Sequence, residues 1–287
     1  MSSRNSAPAL PDLEGRTVVI TGANTGIGRT TALALARAGA QIVLAGRSRE
    51  RTQPVIDAIG DDKAHFVPLD LASLDSVREG AQGILALDRP IHVLINNAGL
   101  AGTRGQTRDG FELAFGVNHL GHFLLTHLLL DRILASDGAR IVHVASKAHH
   151  RARRPSFDAL RETTRTRTAW PEYCVSKLAN VLFNAALHRR LEGSGVVTHA
   201  LHPGVVASDI WRNVPAPLDR LIKLFMISDE EGAATTLHCA TSPEAGERSG
   251  LYWVRCRTAP TSRLARDEAL QEEMWRRSAE WCAIDWA

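Results

Sequence analysis

Thr17-Val-Val-Ile-Thr-Gly-Ala-Asn-Thr-Gly-Ile-Gly28 is the stretch of sequence that decides the fold. Its first five residues are an apolar, β-branched run, which predicts a buried strand. Three glycines follow with the spacing G-x-x-x-G-x-G. An Ala- and Leu-rich segment from Ile27 to Ala38, closed by Gly39, then predicts a helix. A strand, a glycine-rich turn and a helix in this order are typical of a dinucleotide-binding unit.

Each glycine of this turn has a physical reason to be there. Gly22 permits the tight turn out of the strand, Gly26 lets the backbone approach a pyrophosphate, and Gly28 lets the helix pack near the sheet. The free amides and positive dipole end of the helix favour phosphate binding. The alternative, a glycine-rich loop without a ligand, is disfavoured by the strand before it and the helix after it. The residues expected to contact a cofactor here are Gly22, Asn24, Thr25, Gly26, Ile27 and Gly28.

Outward from this unit, the chain alternates apolar runs with helical patterns. Strands are predicted at 41–45, 64–69, 91–95, 140–145, 198–201 and 250–254, and helices near 73–87, 111–134 and 174–190. Strands that read as continuous apolar runs are typical of a parallel sheet buried on both faces. The sequence therefore predicts one doubly wound α/β domain (a Rossmann fold) over residues 15–287, after an N-terminal tail of residues 1–14, with ligands at the carboxyl ends of the strands.

Composition excludes several other classes of protein. The chain has 287 residues and a net charge of +3, which is too small to indicate a nucleic-acid partner. Its cysteines are scattered and form no C-x-x-C pair, so we expect reduced thiols and a cytoplasmic location. Neither a signal peptide nor a membrane span is predicted, because no apolar run reaches about 20 residues. No metal is expected either, because His119, His122 and His127 lack an acid or thiol to complete a site.

The end of the second predicted strand indicates which dinucleotide binds. An NAD-dependent enzyme commonly has an acid here, on the ribose 2′-hydroxyl. This strand instead ends Leu44-Ala-Gly-Arg-Ser48, with no acid at the turn. Arg47 can meet a 2′-phosphate with a bidentate fork, so NADP(H) is expected. The alternative is a solvated surface arginine.

Tyr173 and Lys177 are the candidate proton-transfer pair. They are four residues apart in a helical pattern and so share one helix face. A nearby ammonium lowers the pKa of a phenol towards the range that a general acid or base needs. Ser146 follows the predicted strand 140–145, where its hydroxyl could bind a carbonyl oxygen. The alternative for Ser146 is an ordinary cap or turn serine.

Taken together, these motifs resemble the short-chain dehydrogenase/reductase family over roughly residues 15 to 255. The resemblance also covers Asp70, Asn96-Asn97-Ala98-Gly99, Asn118 and Pro203-Gly204. For the catalytic residues it implies that Ser146 orients the substrate oxygen and Tyr173 gives or takes the proton. It implies further that Lys177 binds the nicotinamide ribose and depresses the tyrosine pKa, while Asn118 holds a water that links Lys177 to solvent.

The resemblance also implies a set of cofactor contacts. Asp70 and Leu71 would contact the adenine ring. Asn97, Ala98 and Gly99 would pass beside the adenosine ribose and steady the central sheet. Around the nicotinamide the implied residues are Pro203, Gly204 and Val206.

Within this family the longer strings are similar to the retinol dehydrogenase-like branch. They include Val117-Asn-His-Leu-Gly-His-Phe-Leu-Leu-Thr126 and Leu201-His-Pro-Gly-Val-Val206. The resemblance implies an oxidoreductase that transfers hydride between NADP(H) and a small lipophilic carbonyl or alcohol, and a homodimer or homotetramer. Two alternatives stay open: a tailoring ketoreductase or steroid-type dehydrogenase, and a non-catalytic NADP(H)-binding regulatory protein. The segments 147–170 and 205–228, which break the strand–helix rhythm, are expected to form the binding loops.

Overall fold

The computed structural model describes residues 10–204 and 228–286. In this part of the chain, eight strands form one sheet: β1 Thr17–Thr21, β2 Gln41–Gly46, β3 Ala64–Pro68, β4 Val93–Asn96, β5 Arg140–Val144, β6 Val197–His202, β7 Leu251–Val254 and β8 Arg257–Thr258. Their order in the sheet is β3-β2-β1-β4-β5-β6-β7-β8. All neighbouring pairs are parallel except β7 and β8, which are antiparallel.

This strand order confirms the doubly wound α/β fold. The chain winds from β1 outward to β3 and then returns to place β4 on the other side of β1. Ligands of such sheets bind outside the carboxyl ends of the strands, where the winding direction reverses. A ligand site is therefore expected in the crevice between the carboxyl ends of β1 and β4.

The described helices cover both faces of the sheet. They are α1 Gly26–Arg37, α2 Arg49–Ile59, α3 Leu74–Leu85, α4 Leu113–Leu134, α5 Trp170–Arg190, α6 Asp229–Thr241, α7 Pro243–Gly246 and α8 Glu268–Trp281. Short 3₁₀ turns lie at Lys147–Arg151, Ala159–Arg161 and Leu264–Arg266. The β8 strand and α2, α6, α7 and α8 were not among the predicted elements.

Two hydrophobic cores result, one on each side of the sheet. Val19 of β1 belongs to the core under α3, α4, α5 and α8. Val18 and Ile20 belong to the core under α1, α2 and α6. Successive residues of a strand point to opposite faces, so a strand that is apolar at every position supplies both cores. Leu10 and Leu13, within the predicted N-terminal tail, pack against the second core.

Helix α4 has two unusual features. Within the described residues it is the one helix long and apolar enough to cross a membrane, and 72% of its apolar window is buried inside the domain. Its second turn, Gly116–Leu120, is π-helical. Such turns are rare and leave a main-chain carbonyl free to bond elsewhere. Asn118 lies in this turn, and its surroundings are described below.

Candidate active site

Gly22 and Gly28 form a tightly packed cradle at the end of β1. Gly22 has φ +68°, and a Cβ built on it would lie 2.8 Å from the Ala98 Cβ. A Cβ on Gly28 would lie 2.4 Å from the Gly22 carbonyl oxygen and 2.5 Å from Asn97 Nδ2. No side chain larger than hydrogen fits at these distances without moving backbone. The turn therefore brings main chain, and nothing bulkier, to the carboxyl end of the sheet.

The N-terminus of α1 is open to a ligand. Its N-cap Thr25 makes no side-chain cap, and the first turn has no acidic residue. By contrast α2, α3, α6 and α8 are capped by the side chains of Ser48, Ser73, Ser228 and Asp267. Uncapped amides at the positive end of a helix dipole, beside a glycine cradle, fit the pyrophosphate of a dinucleotide. Asn24 is half-buried in the same turn, and Ile27 is half-buried in the first turn of α1.

Arg47 lies at the rim of a cavity of about 460 Å³ between the glycine turn and the end of β2. The cavity is lined by Ala23, Asn24, Leu44, Ala45, Gly46, Arg47, Ser48, Glu50, Arg51 and Thr52. Sequence reasoning identified Arg47 but missed Arg51, which the first turn of α2 brings to the same cavity. Finding Arg51 would have required predicting α2. Glu50 also lines the cavity, so the cavity wall carries both positive and negative charges.

The loop after β4 packs against the glycine turn and hydrogen-bonds to it. Asn97 Nδ2 donates to the main-chain oxygens of Thr21 (2.8 Å) and Gly22 (3.2 Å). Ala98 contacts Gly22 directly, as described above. A Cβ on Gly99 would lie 3.2 Å from Asn118 Oδ1 and 3.4 Å from Lys177 Nζ. The three residues expected beside the cofactor thus join the glycine turn to the helices that hold Asn118 and Lys177.

The remaining expected cofactor contacts occupy the same edge of the sheet. Asp70 is half-buried after β3, and its Oδ1 accepts from the Ala72 amide. The Leu71 side chain is buried in the core, so any contact with adenine falls to its main chain. Pro203 and Gly204 directly follow β6, and Gly204 has φ +104°. Val206 lies outside the described residues.

Ser146 and Tyr173 meet at the carboxyl end of β5. Their side chains hydrogen-bond to each other, which lowers the pKa of the Tyr173 phenol. Burial acts the other way and is the larger effect, because Tyr173 is only 9% exposed, and the net result is a raised pKa. The sequence predicted a depressed tyrosine pKa, and the structure gives the opposite direction. Desolvation of the phenolate outweighs the interactions that favour it.

Lys177 is buried one turn along α5 from Tyr173. Its Nζ lies 5.8 Å from the centre of the Tyr173 ring and donates to the Val144 carbonyl oxygen at 2.8 Å. Burial lowers the pKa of Lys177 to about 8. At neutral pH the side chain therefore keeps its proton, although the buried setting makes the ammonium easier to deprotonate than a surface lysine.

Asn118 cross-links the loop after β4 to α5. Its Oδ1 accepts from the Leu100 amide at 2.8 Å, and its Nδ2 donates to Leu100 O at 3.0 Å and to Ser176 Oγ at 2.9 Å. Ser176 in turn donates to the Tyr173 carbonyl. The side chain of Asn118 is thus engaged in positioning the loop and α5. The water expected beside Asn118 stays a prediction.

His122 connects Asn118 to the start of the cofactor turn. Its Nδ1 lies 3.1 Å from the Asn118 carbonyl, which can only accept, so Nδ1 carries a proton. Its Nε2 lies 2.9 Å from Thr21 Oγ1. Thr21 Oγ1 accepts from the amides of Asn97 and Ala98, both at 3.0 Å. Burial lowers the pKa of His122 to about 4, so the ring is neutral and Nε2 accepts from the threonine hydroxyl.

The three histidines of α4 all contact other protein groups. No cluster of three or more potential metal ligands occurs in the described residues. His119 is buried among aromatic rings and bonds to Ser278, and the half-buried His127 packs on Trp286. Sequence reasoning favoured a packing or surface role over a metal site for all three histidines. It missed the link from His122 to Thr21, whose only sequence signal is a polar residue four positions after Asn118.

The family model described as short chain dehydrogenase matches residues 16–159. Retinol dehydrogenase 12 of Homo sapiens is 43% identical over 96% of this chain and 88% of its own length. Retinol dehydrogenase 11 of Homo sapiens is 42% identical over the same shares. A putative uncharacterized protein from Mycobacterium paratuberculosis has a similar crystal structure, with 33% identity, a TM-score of 0.81 and coverage of 98% of both chains.

Proposed function

The chain belongs to the short-chain dehydrogenase/reductase family, retinol dehydrogenase-like in sequence, and from that premise we propose a reaction and the residues that perform it. The protein is an oxidoreductase that transfers a hydride between NADP(H) and a lipophilic carbonyl or alcohol, with Tyr173 as the general acid and base. The observation that carries the proposal is the meeting of Ser146, Tyr173 and Lys177 at the carboxyl end of β5.

The proton chemistry follows from the contacts of these three side chains. In the reducing direction, the hydroxyls of Ser146 and Tyr173 both donate to the carbonyl oxygen of the substrate and polarise it. Tyr173 then transfers its proton to that oxygen, which balances the hydride received by the carbon. The bound nicotinamide supplies this hydride, or accepts it in the reverse direction.

Lys177 stabilises the phenolate that this step leaves on Tyr173. Burial raises the tyrosine pKa. A buried ammonium whose own pKa is about 8 supplies the opposing effect without competing solvent. Asn118 and Ser176 act through position, because they fix α5 against the loop after β4. Proton supply through a water beside Asn118 belongs to the proposal as well.

NADP(H) is proposed over NAD(H) because of the residues at the end of β2. Arg47 and Arg51 line the cavity there. Arg47 stands where an NAD-dependent enzyme commonly has an acid that accepts a hydrogen bond from the ribose 2′-hydroxyl. The uncapped start of α1 and the glycine cradle support a pyrophosphate beside it. The proposed cofactor contacts are Gly22, Asn24, Thr25, Gly26, Ile27, Gly28, Arg47, Asp70, Leu71, Asn97, Ala98, Gly99, Tyr173, Lys177, Pro203, Gly204 and Val206.

A lipophilic substrate is supported by the surroundings of Tyr173. Ala101, Ala148 and Ala152 pack with Tyr173 and Cys174 in a small apolar cluster. The substrate named for the related human enzymes is retinol. A cytoplasmic, reducing environment is supported by the cysteines, which are all free. A homodimer or homotetramer stays a prediction, which light scattering on the purified chain measures.

The direct experiment is a panel of carbonyls and alcohols followed by NADPH absorbance. Apolar aldehydes and ketones should be reduced with NADPH and far more slowly with NADH. Short, charged carbonyls of the same reactivity are the matched controls and should react poorly. Cofactor binding without turnover on any member of the panel would contradict the proposal and favour a non-catalytic NADP(H)-binding protein.

A further inference from the structure

Positive charge is concentrated in two loops of this protein. The segments 147–154 and 255–266 together contain eight Lys and Arg residues and no Asp or Glu, whereas the whole chain has a net charge of only +3. The rest of the chain is therefore net acidic. We call the two segments together the basic surface. A local excess of this kind indicates an anionic partner more strongly than the overall charge does.

The two segments lie side by side after the carboxyl ends of β5 and β7. The amide of Ser262 donates to Nε2 of His149 at 3.1 Å and ties one segment to the other. Lys147 of the first segment and Arg266 of the second both lower the pKa of His150. Cations from both loops therefore act on the same imidazole, so their fields add.

The charges of the basic surface are available to solvent. Its exposed cations are Lys147, Arg151, Arg153, Arg154, Arg255, Arg257, Arg263 and Arg266. Arg154 forms an ion pair with Asp267, just beyond the second segment. This acid offsets one of the eight charges, and the surface stays strongly positive.

The basic surface adjoins the catalytic tyrosine and an exposed tryptophan. Ala148 and Ala152 of the first segment pack against Tyr173 and Cys174. Trp170, three residues before Tyr173, is 39% exposed, and its ring centre lies 5.4 Å from that of Tyr173. Among the described residues, the large exposed apolar side chains are Trp170 and Leu134. An indole beside a field of arginines is the composition that binds at the headgroup level of a bilayer.

We propose that the basic surface docks this protein on an anionic phospholipid bilayer, with Trp170 at the headgroup level and the Tyr173 side of the proposed site turned towards the lipid. Each Lys or Arg near such a membrane strengthens association about fivefold. Docking in this orientation brings the site to substrates dissolved in the bilayer; this last point rests on the lipophilic substrate of the proposed function. A lipid surface is favoured over a nucleic acid because the aromatic group is a single indole at the rim of the charge.

The test is co-sedimentation of the full chain with phospholipid vesicles. Vesicles of phosphatidylcholine with phosphatidylglycerol should bind it, vesicles of phosphatidylcholine alone should not, and added salt should release it. The variant Arg153→Glu/Arg263→Glu should bind about tenfold more weakly or worse. The matched control Arg37→Glu/Arg248→Glu makes the same charge change on exposed residues near the amino ends of β2 and β7, and should bind like the wild type.

Several results would overturn the docking proposal. They are equal losses in both variants, equal binding to neutral vesicles, or no binding to either vesicle. Binding to an oligonucleotide that is lost in Arg153→Glu/Arg263→Glu, with no vesicle binding, would assign the surface to a nucleic acid instead. Turnover of a water-soluble carbonyl, measured on the same samples, separates a failure of docking from a failure of the proposed reaction.

Discussion

Nε2 of His122 lies 2.9 Å from the hydroxyl of Thr21, and this contact joins the helix that holds Asn118 to the strand that leads into the glycine turn. On its other side the same ring donates to the Asn118 carbonyl in the π-helical turn. Through Thr21 the link continues to the amides of Asn97 and Ala98. One neutral imidazole therefore sets the distance between the proposed cofactor cradle and the proposed proton relay.

Replacing His122 by Phe should damage both stability and cofactor binding. The ring volume is kept, but the Thr21 hydroxyl loses an acceptor and the Asn118 carbonyl loses a donor, each buried. An unsatisfied buried group costs about 1–3 kcal/mol. We expect the free energy of unfolding in urea to fall by about this amount, and the Kd for NADPH, measured by fluorescence, to rise about tenfold.

His127→Phe is the matched control for this variant. It makes the same change on the same helix, at a ring that packs on Trp286 away from Thr21. It should leave the Kd for NADPH unchanged. If His127→Phe weakened NADPH binding as much as His122→Phe does, the link from His122 to Thr21 would have no special role.

Arg47→Asp should reverse the cofactor preference. The substitution removes a cation from the cavity at the end of β2 and adds the carboxylate that a ribose 2′-hydroxyl prefers. Loss of a charge-assisted contact with the 2′-phosphate costs about 1.5–3 kcal/mol, so the Kd for NADPH should rise at least tenfold.

The Kd for NADH should stay the same or improve in that variant. Fluorescence titration with both cofactors measures the two values side by side. Arg104→Asp, at an exposed arginine outside the cavity, is the control for charge alone. An unchanged ratio of the two dissociation constants in Arg47→Asp would refute the assignment of Arg47 to the 2′-phosphate.

Gly28→Ala tests the cradle itself. The new Cβ would lie 2.4 Å from the Gly22 oxygen, so backbone must move. We expect a loss of about 2 kcal/mol or more in the free energy of unfolding, as for other overpacked sites, and a loss of measurable NADPH binding. Gly46→Ala is the control for stability, because nothing lies within 4 Å of its Cβ. Equal stability of the two variants would show that the close packing at Gly28 is not required.

Acid should destabilise the fold through its buried histidines. Burial lowers the pKa to about 3 for His119 and His143, and to about 4 for His122, His149, His199 and His202. In the unfolded chain these groups titrate near pH 6.5. As the pH falls below about 6.5, the unfolded state takes up protons that the folded state refuses, so stability is lost between about pH 6.5 and 4.

The measurement is the urea midpoint at a series of pH values between 7 and 5. Each of these histidines should weaken the fold by up to about 2 kcal/mol at pH 5. Imidazole NMR signals of the folded protein should meanwhile show neutral rings throughout. A urea midpoint that stays flat from pH 7 to 5 would contradict the assignment of these buried rings as neutral.

Sequence patterns predicted the parts of the fold that depend on local apolar periodicity. The mainly apolar runs located β1 to β7 to within two residues at each end, because a strand buried on both faces has few polar positions to interrupt the pattern. Helix α2 was missed because Pro54 lies inside it and its exposed face is rich in charge. Strand β8 was missed because two residues carry no periodic signal.

The residues of the site likewise differ in whether a local sequence pattern predicts them. The glycine turn, Tyr173 and Lys177 were predictable because their chemistry demands particular residue types at fixed spacing. The contacts of His122 with Thr21 join residues 101 positions apart, and no local pattern encodes them. The raised pKa of Tyr173 likewise depends on burial by distant segments. The spacing of Tyr173 and Lys177 along the chain could predict only that the ammonium lowers the tyrosine pKa.

The central claim is that Tyr173 transfers the proton that accompanies hydride transfer, and Tyr173→Phe tests it most directly. This variant keeps the ring and its packing and removes only the hydroxyl. We predict that NADPH oxidation with the best apolar carbonyl of the panel falls at least a hundredfold in kcat, since general acid catalysis is worth about 10²–10⁴. The Kd for NADPH should rise by no more than about tenfold, because the variant removes one proposed cofactor contact and leaves the glycine cradle intact. Near-full turnover in Tyr173→Phe, with NADPH bound normally, would contradict the claim.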